Sequence, residues 1–301
     1  MPGLEEIERR MRGFAKIKDS EDDKARARLL AHFEDHPERV FFSRQLEVIF
    51  EREYFHWVTN RALRQLVGEG RIRTEARRLS TGSEMKLLWH RGYRFYKRSA
   101  DEVFKLVDSY TTAASDGALG LQGEHLVLAA FARQKFLLIG EETRTYGGET
   151  WNHTNHDLDF VFERQGAGYG VEVKNTLGYM DMGEFLTKIR LSRHIGVRPI
   201  FVVRALPKSW INVLNHVGGY AMIMGFQFYP WSHKAVADQI REKLGLPVDT
   251  PKRIEQGTMQ RFENWIASAP EPPAKADPKV EELLRKMERP YVRRGPVRVD
   301  E

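Results

Sequence analysis

The chain has 301 residues, 41% of them hydrophobic and 30% charged, with a net charge of +6 and no cysteine. That length supports two ordinary domains, and that composition a folded globular protein rather than a disordered or fibrous one. Disulfides and thiolate metal sites are excluded, no apolar run reaches the ~18 residues of a membrane-crossing helix, and the mixed-charge start "MPGLEEIERRMRGF" predicts no secretory signal and a cytoplasmic location. The basic residues gather in 61–98, 188–208 and 285–298, which raises the odds of a polyanionic partner, although many basic proteins merely solvate such surfaces.

Residues 22–36, "DDKARARLLAHFEDH", open with aspartates suited to a helix N-terminus and repeat Ala25, Leu29, Leu30 and Phe33 at helical spacing. After Pro37, Ser43 is placed to cap a second helix with Leu46, Ile49 and Phe50 inward. A third helix spans 54–70, striped by Phe55, Val58, Ala62, Leu63, Leu66 and Val67 and ended by Gly68 and Gly70. "RIRTEARRL", the turn "STGSE" and "MKLLWHRGY" then read as a two-stranded hairpin. Three helices and a basic hairpin over residues 20–96 resemble a winged helix-turn-helix domain, so an α+β nucleic-acid-binding domain is expected over 1–98. The resemblance implies that His56, Thr59, Asn60, Arg61 and Arg64 on the third helix reach bases or phosphates, and that Arg71, Arg73, Arg77 and Arg78 contact backbone phosphate. The plainer alternative is a protein-docking module with solvated arginines. Trp57 and Trp89 read as packing residues rather than base-stacking platforms.

Residues 99–117 read as a connecting helix and a glycine-containing break, with a second domain expected over 118–246. "QGEHLVLAAFARQ" is a helix, "FLLIGEE" a strand, 156–163 and 169–174 two more strands, "MGEFLTKIRLSRHIG" a helix, "RPIFVVRA" a buried strand, and "YAMIMGFQFYP" another, followed by a helix over 232–244. This order predicts an α/β/α sandwich around a mixed sheet. Residues 247–301 hold an amphipathic helix, a proline-rich linker at 269–279, a further helix and a basic tail.

Strand parity carries the chemistry. Glu172 and Lys174 share a face, and Leu158, Phe160 and Phe162 form the apolar set of the preceding strand, leaving Asp159 outward with Val161 and Glu163. Asp157 shares the parity of Asp159. Asp159 lies opposite Glu172 only if the turn has an even number of residues, such as a four-residue "QGAG", or a bulge shifts the pairing. Two converging carboxylates repel, and a divalent cation with a nearby ammonium resolves the repulsion.

A helical Glu124, then Asp159, then "VEVK" at 171–174 and a following helix–strand pair resemble the PD-(D/E)XK nuclease superfamily, the restriction-endonuclease-like fold, over residues 118–230. The Asp159–Glu172 spacing is similar to that of archaeal Holliday-junction resolvases, and the two-domain layout to Mrr-type restriction enzymes. The resemblance implies a Mg²⁺-dependent DNA endonuclease, with Mn²⁺ able to substitute, that leaves a 5′-phosphate and a 3′-hydroxyl. It implies Asp159, Glu172 and the Val173 carbonyl as metal ligands, Lys174 positioning the water and stabilising developing charge, and Glu124 as an outer ligand or holder of a second ion. Lys188, Arg190 and Arg193 become candidates for phosphate contact, and a homodimer acting on duplex or branched DNA is expected. No proline precedes Asp157 or Asp159, and the turn is short, which departs from the stricter family pattern. A non-catalytic DNA-binding regulator on a nuclease-like fold is the competing class, and a ribonuclease a third. "WNHTNHD" at 151–157 invites a zinc site from His153, His156 and Asp157, a poor signal without helical spacing. His125 reads as a helix surface or core residue, and His194 as packing at a helix end.

Overall fold

A computed structural model describes residues 18–292 apart from 116, 270, 273 and 276. The expected basic tail beyond 292 lies outside the described residues. The chain divides into two compact units: residues up to Leu119 together with Phe228–Pro251, and Gly120–Gln227 together with the residues from Lys252 onward.

In the first unit, helix α1 (Lys18–Asp35) is followed by strand β1 (Val40–Phe42), helices α2 (Ser43–Ile49) and α3 (His56–Gly68), strands β2 (Ile72–Arg78) and β3 (Glu84–His90), and helix α4 (Lys97–Ser115). The antiparallel sheet has the order β1-β3-β2, with Val40 opposite Trp89 and Arg78 opposite Glu84. The stripe expected on the third helix is the buried one: Val58, Ala62, Leu63 and Leu66 close on Ala25, Leu29, Phe33, Leu46 and Phe50. Strand β1 was hidden in the sequence because "VFF" is too short to show alternation. Ser43 is the first helical residue of α2 rather than its cap, the cap position being Phe42, whose N–H donates to the Gln45 side chain.

Residues Phe228–Pro251, of which those up to 246 were expected to close the second domain, cluster instead with this first unit. The Gln45 amide donates to the Leu244 carbonyl at 2.8 Å, and Tyr110 of α4 lies 5.9 Å from the buried Tyr229 ring. These are contacts between segments far apart in sequence, and local pattern cannot register them.

The second unit is built on a five-stranded mixed sheet. Helix α5 (Ala118–Arg133) leads into β4 (Leu137–Thr143), a small hairpin of β5 (Thr145–Tyr146) and β6 (Glu149–Thr150), then β7 (Leu158–Arg164), β8 (Ala167–Lys174), helix α6 (Met182–Ile195), β9 (Arg198–Val203), helix α7 (Lys208–His216) and β10 (Tyr220–Ile223). Helices α8 (Gln256–Ser268) and α9 (Pro278–Val292) complete the unit. The sheet order is β10-β9-β8-β7-β4; β4, β7 and β8 pair antiparallel, while β8, β9 and β10 pair parallel. The expected mixed sheet is thus present, and "PIFVV" lies inside it with Ile200, Phe201, Val202 and Val203 all buried. Helix α7 was not anticipated. It supplies the crossover that two parallel strands require, and its signal was Trp210, Val213 and Leu214 at helical spacing after Pro207. The run "YAMIMGFQFYP" is not one strand either; it breaks at Gly225, whose φ of 79° ends β10.

The sheet has two distinct faces. Phe160, Phe162, Tyr169 and Val171 meet an aromatic layer in which Phe131 of α5 lies 4.7 Å from Phe162 and 5.2 Å from Phe262 of α8. The opposite face carries Val161, Gly168 and Gly170 beneath Leu191, Ile195 and Val197. Glycine is required at 170 because a Cβ there would sit 2.6 Å from Leu158 Cδ1 and 2.7 Å from Val197 Cγ2. The absence of those two side chains lets α6 lie close against the strands. Among the described residues, no helix is long and apolar enough to cross a membrane.

Candidate active site

The hairpin between β7 and β8 turns on two residues, Gln165 and Gly166, both with positive φ (53° and 76°). Those are the angles of a type I′ turn, whose twist matches that of the flanking strands. The loop is therefore shorter than the expected "QGAG", yet its length is even, so the parity condition holds. The register runs from Arg164 opposite Ala167 to Phe160 opposite Val171, where the ladder ends, and Asp159 and Glu172 are the next residue on each strand. Asp159 folds across the gap, its Oδ2 accepting from the Val173 N–H at 2.6 Å.

This face is not the open polar surface that alternation alone suggests. Helix α6 covers it. Asp181 caps the helix by accepting from the N–H groups of Gly183 and Glu184, and Gly196, with a φ of 81°, terminates it. Between those caps, Glu184 and Lys188 stand one turn apart, and each pairs with a residue of β8. The Lys174 ammonium meets Glu184 Oε1 at 2.6 Å, and Lys188 Nζ meets Glu172 Oε2 at 2.5 Å while also donating to the Asp157 carbonyl. Glu172 is only 3% exposed and Lys188 5%.

Burial governs the ionisation of the group. It pushes the Glu172 carboxyl up from 4.5 to about 7, helped by the Asp159 charge and opposed by Lys188 and Lys174. Asp159 is also raised by burial, against the Val173 N–H and the same two lysines. Glu124 on α5 is raised by burial and by its proximity to Asp159. Its neighbour Gly123 allows that approach, since a Cβ would lie 3.0 Å from Asn175 Cβ and 3.2 Å from Val173 Cγ1. For Lys174, burial lowers the affinity for its proton, but the bond and charge of Glu184 with Glu172 and Asp159 outweigh it, and the net direction is up.

Asp159, Glu172 and Lys174 thus lie near one another, and Glu124 lies near enough to Asp159 to feel its charge. The donor set, two facing carboxylates with the adjacent Val173 carbonyl, has the hard-oxygen chemistry that suits Mg²⁺ or Mn²⁺. Among the described residues no three histidine, aspartate or glutamate side chains converge as a ready-made cage. Glu184 and the site role of Lys188 were missed, because a helix shows its polar residues without showing which of them face a sheet.

The three expected phosphate contacts on α6 need correction. Lys188 is buried against Glu172. Arg190 pairs with Glu288 at 2.5 Å and Glu281 at 3.7 Å on α9. Arg193, 6% exposed, donates to the Ala274 and Lys275 carbonyls. Arg190 and Arg193, with Trp151, His194, Glu149 and Glu281, line a cavity of about 620 Å³, and Glu124, Asp159 and Glu172 are not among its lining residues. His194 packs as anticipated, its Nε2 3.1 Å from the Thr150 carbonyl, and His125 is exposed. Of the residues of the zinc alternative, His153 packs on Trp151, and His156 Nδ1 meets Thr154 Oγ1 at 2.9 Å.

In the first unit, Thr59 is fully buried and cannot touch a ligand, because its position on α3 turns into the core. His56 is half-buried, its imidazole pushed toward the neutral form by burial and by Arg44. Asn60 donates to Glu47 at 2.5 Å, Arg61 pairs with Asp22 at 2.6 Å, Arg71 with Glu34 at 3.2 Å, and Arg77 with Glu75 and Asp101. Arg64, Arg73 and Arg78 are exposed. Trp89 stacks on Tyr96 at 4.0 Å and Trp57 on Phe55 at 4.6 Å, both as packing residues. Comparison of the chain with protein-family models, curated proteins and solved structures finds no match.

Proposed function

We propose that the chain is a metal-dependent endodeoxyribonuclease of the PD-(D/E)XK type, with a winged helix-turn-helix unit that binds duplex or branched DNA. The observation that carries this reading is the Asp159 carboxylate bonded to the Val173 N–H, with its charge felt by Glu172, Lys174 and Glu124. The order β4-β7-β8-β9-β10 with its antiparallel-to-parallel change is consistent with the restriction-endonuclease-like core. The run helix, strand, two helices, two strands, with sheet order β1-β3-β2, likewise resembles a winged helix.

When bound, Mg²⁺ or Mn²⁺ supplies charge neutralisation at phosphate and a lowered pKa for water. Asp159, Glu172 and the Val173 carbonyl would hold it. The Val173 N–H fixes the Asp159 carboxylate, and α6 excludes bulk water from Glu172. Lys174, kept protonated by Glu184, serves as a fixed positive charge that orients water and stabilises the phosphate transition state rather than as a base. Of the arginines expected to meet nucleic acid, Arg64, Arg73 and Arg78 are exposed and so open to DNA phosphate.

The test is nicking of supercoiled plasmid in Mg²⁺ or Mn²⁺. Cleavage should stop with chelator and in Asp159→Asn, Glu172→Gln and Lys174→Ala. Intact duplex, single-stranded and branched substrates under all conditions, with affinity for DNA unchanged in Asp159→Asn, would favour a non-catalytic DNA-binding protein instead. The internal pairing of so many arginines on the first unit is the observation that keeps that second reading in view.

A further inference from the structure

The acidic site already contains a cation of its own. Lys188 enters from α6, is 5% exposed, and places Nζ 2.5 Å from Glu172 Oε2 with a second bond to the Asp157 carbonyl. It is therefore tied to β8 through a carboxylate and, through a backbone carbonyl, to the residue that immediately precedes β7. A surface lysine making an optional ion pair would have neither the burial nor the carbonyl anchor. Lys174, by contrast, is directed to Glu184. The site holds two ammonium groups with separate partners, and only Lys188 is bonded to a carboxylate assigned to the metal.

We propose that Lys188 is a resident counter-ion that competes with the divalent cation for Glu172, so that it sets the metal affinity of the site and must yield Glu172 Oε2 when metal binds. This inference rests on the metal-site reading above and assigns Lys188 a positioning role within it. The reasoning is electrostatic. Two cations served by one buried carboxylate repel through a medium that screens poorly, and that repulsion is subtracted from metal binding. Neutralising the lysine removes the competitor, whereas arginine retains it.

The experiment is calorimetric titration of the full chain with Mn²⁺ alone, without nucleic acid. Lys188→Met and Lys188→Gln should bind at least about tenfold more tightly than the unaltered protein, and Lys188→Arg should stay close to it. Neutral variants that bind no tighter, or bind more weakly, overturn the inference while leaving the metal site intact. Absence of Asp159-dependent Mn²⁺ binding in every variant overturns the metal-site reading and the inference with it. Lys188→Gln retains an N–H donor for the Asp157 carbonyl and guards against a folding defect. Should both neutral variants unfold, ¹⁵N-lysine spectra of the unaltered protein decide the matter. A slowly exchanging Lys188 ammonium signal should be lost on adding Mg²⁺, and its persistence at saturating metal refutes the competition.

Discussion

Replacing Glu172 with glutamine should remove from the metal-free protein a loss of stability that develops as pH rises from about 4.5 to 7. Burial raises the folded-state pKa of this carboxyl from 4.5 to about 7. Within that window the folded protein keeps a proton that the unfolded chain has already released. The folded state binds more protons, so stability falls as pH rises, and the loss is complete once pH exceeds the folded value. Each tenfold change in proton affinity corresponds to about 1.4 kcal/mol, so the full effect is roughly 3 kcal/mol. Urea unfolding in chelator, repeated across the window, measures it directly. Other groups act on both proteins alike, among them His32, whose imidazole burial lowers to about 4 and whose slope has the opposite sign, so it is the stability difference between the unaltered protein and Glu172→Gln that should shift by roughly 3 kcal/mol across the window. Parallel slopes in the two proteins would refute the reasoning, because they would mean that Glu172 ionises in the folded state as easily as in the unfolded one.

Gly170→Ala should cost about 1–3 kcal/mol in thermal or urea unfolding, since its Cβ meets Leu158 and Val197 inside van der Waals distance; unchanged stability would mean that α6 is free to move away. Phe131→Ala, at a fully buried position of the aromatic layer, should cost about 3–5 kcal/mol by the same measurement, and a loss under 1 kcal/mol would contradict the packing. The triple variant Arg64→Ala, Arg73→Ala, Arg78→Ala should melt like the unaltered protein and weaken DNA binding. The slope of log affinity against log salt should fall by roughly 0.9 for each arginine that meets phosphate, and an unchanged slope would place the DNA elsewhere.

Much of this site was legible from residue order because strand parity is a local property. Glu172 and Lys174 had to share a face as alternate residues of one strand, and the turn length was needed to bring Asp159 to it. What parity cannot say is whether that face is wet. The burial of Glu172 depends on α6, whose approach depends in turn on the missing side chains at Gly168 and Gly170. Lys188, Arg190 and Arg193 looked alike as cations on one helix, yet they find a buried carboxylate, an acidic pair on α9 and two backbone carbonyls. Thr59 was misplaced for the opposite reason: a hydroxyl one residue after Val58 reads as polar surface, although its position on α3 is buried. Helix α7 went unseen because a nine-residue amphipathic helix carries few periods to recognise.

The two-residue turn at Gln165 and Gly166 behaves like a reading frame. One residue inserted there and taken up by a one-residue slip of β8 along its neighbours would send Glu172 and Lys174 to the side of Phe131 and bring Val171 and Val173 under α6. Every charged partner would then face hydrocarbon, and every hydrocarbon a charge. Exchange of Gln165 for other residues that accept a positive φ leaves the frame intact, so this hairpin can vary freely in composition and scarcely at all in length. A library that varies loop length at this turn should yield folded, competent proteins at the native length and few at one residue more or fewer.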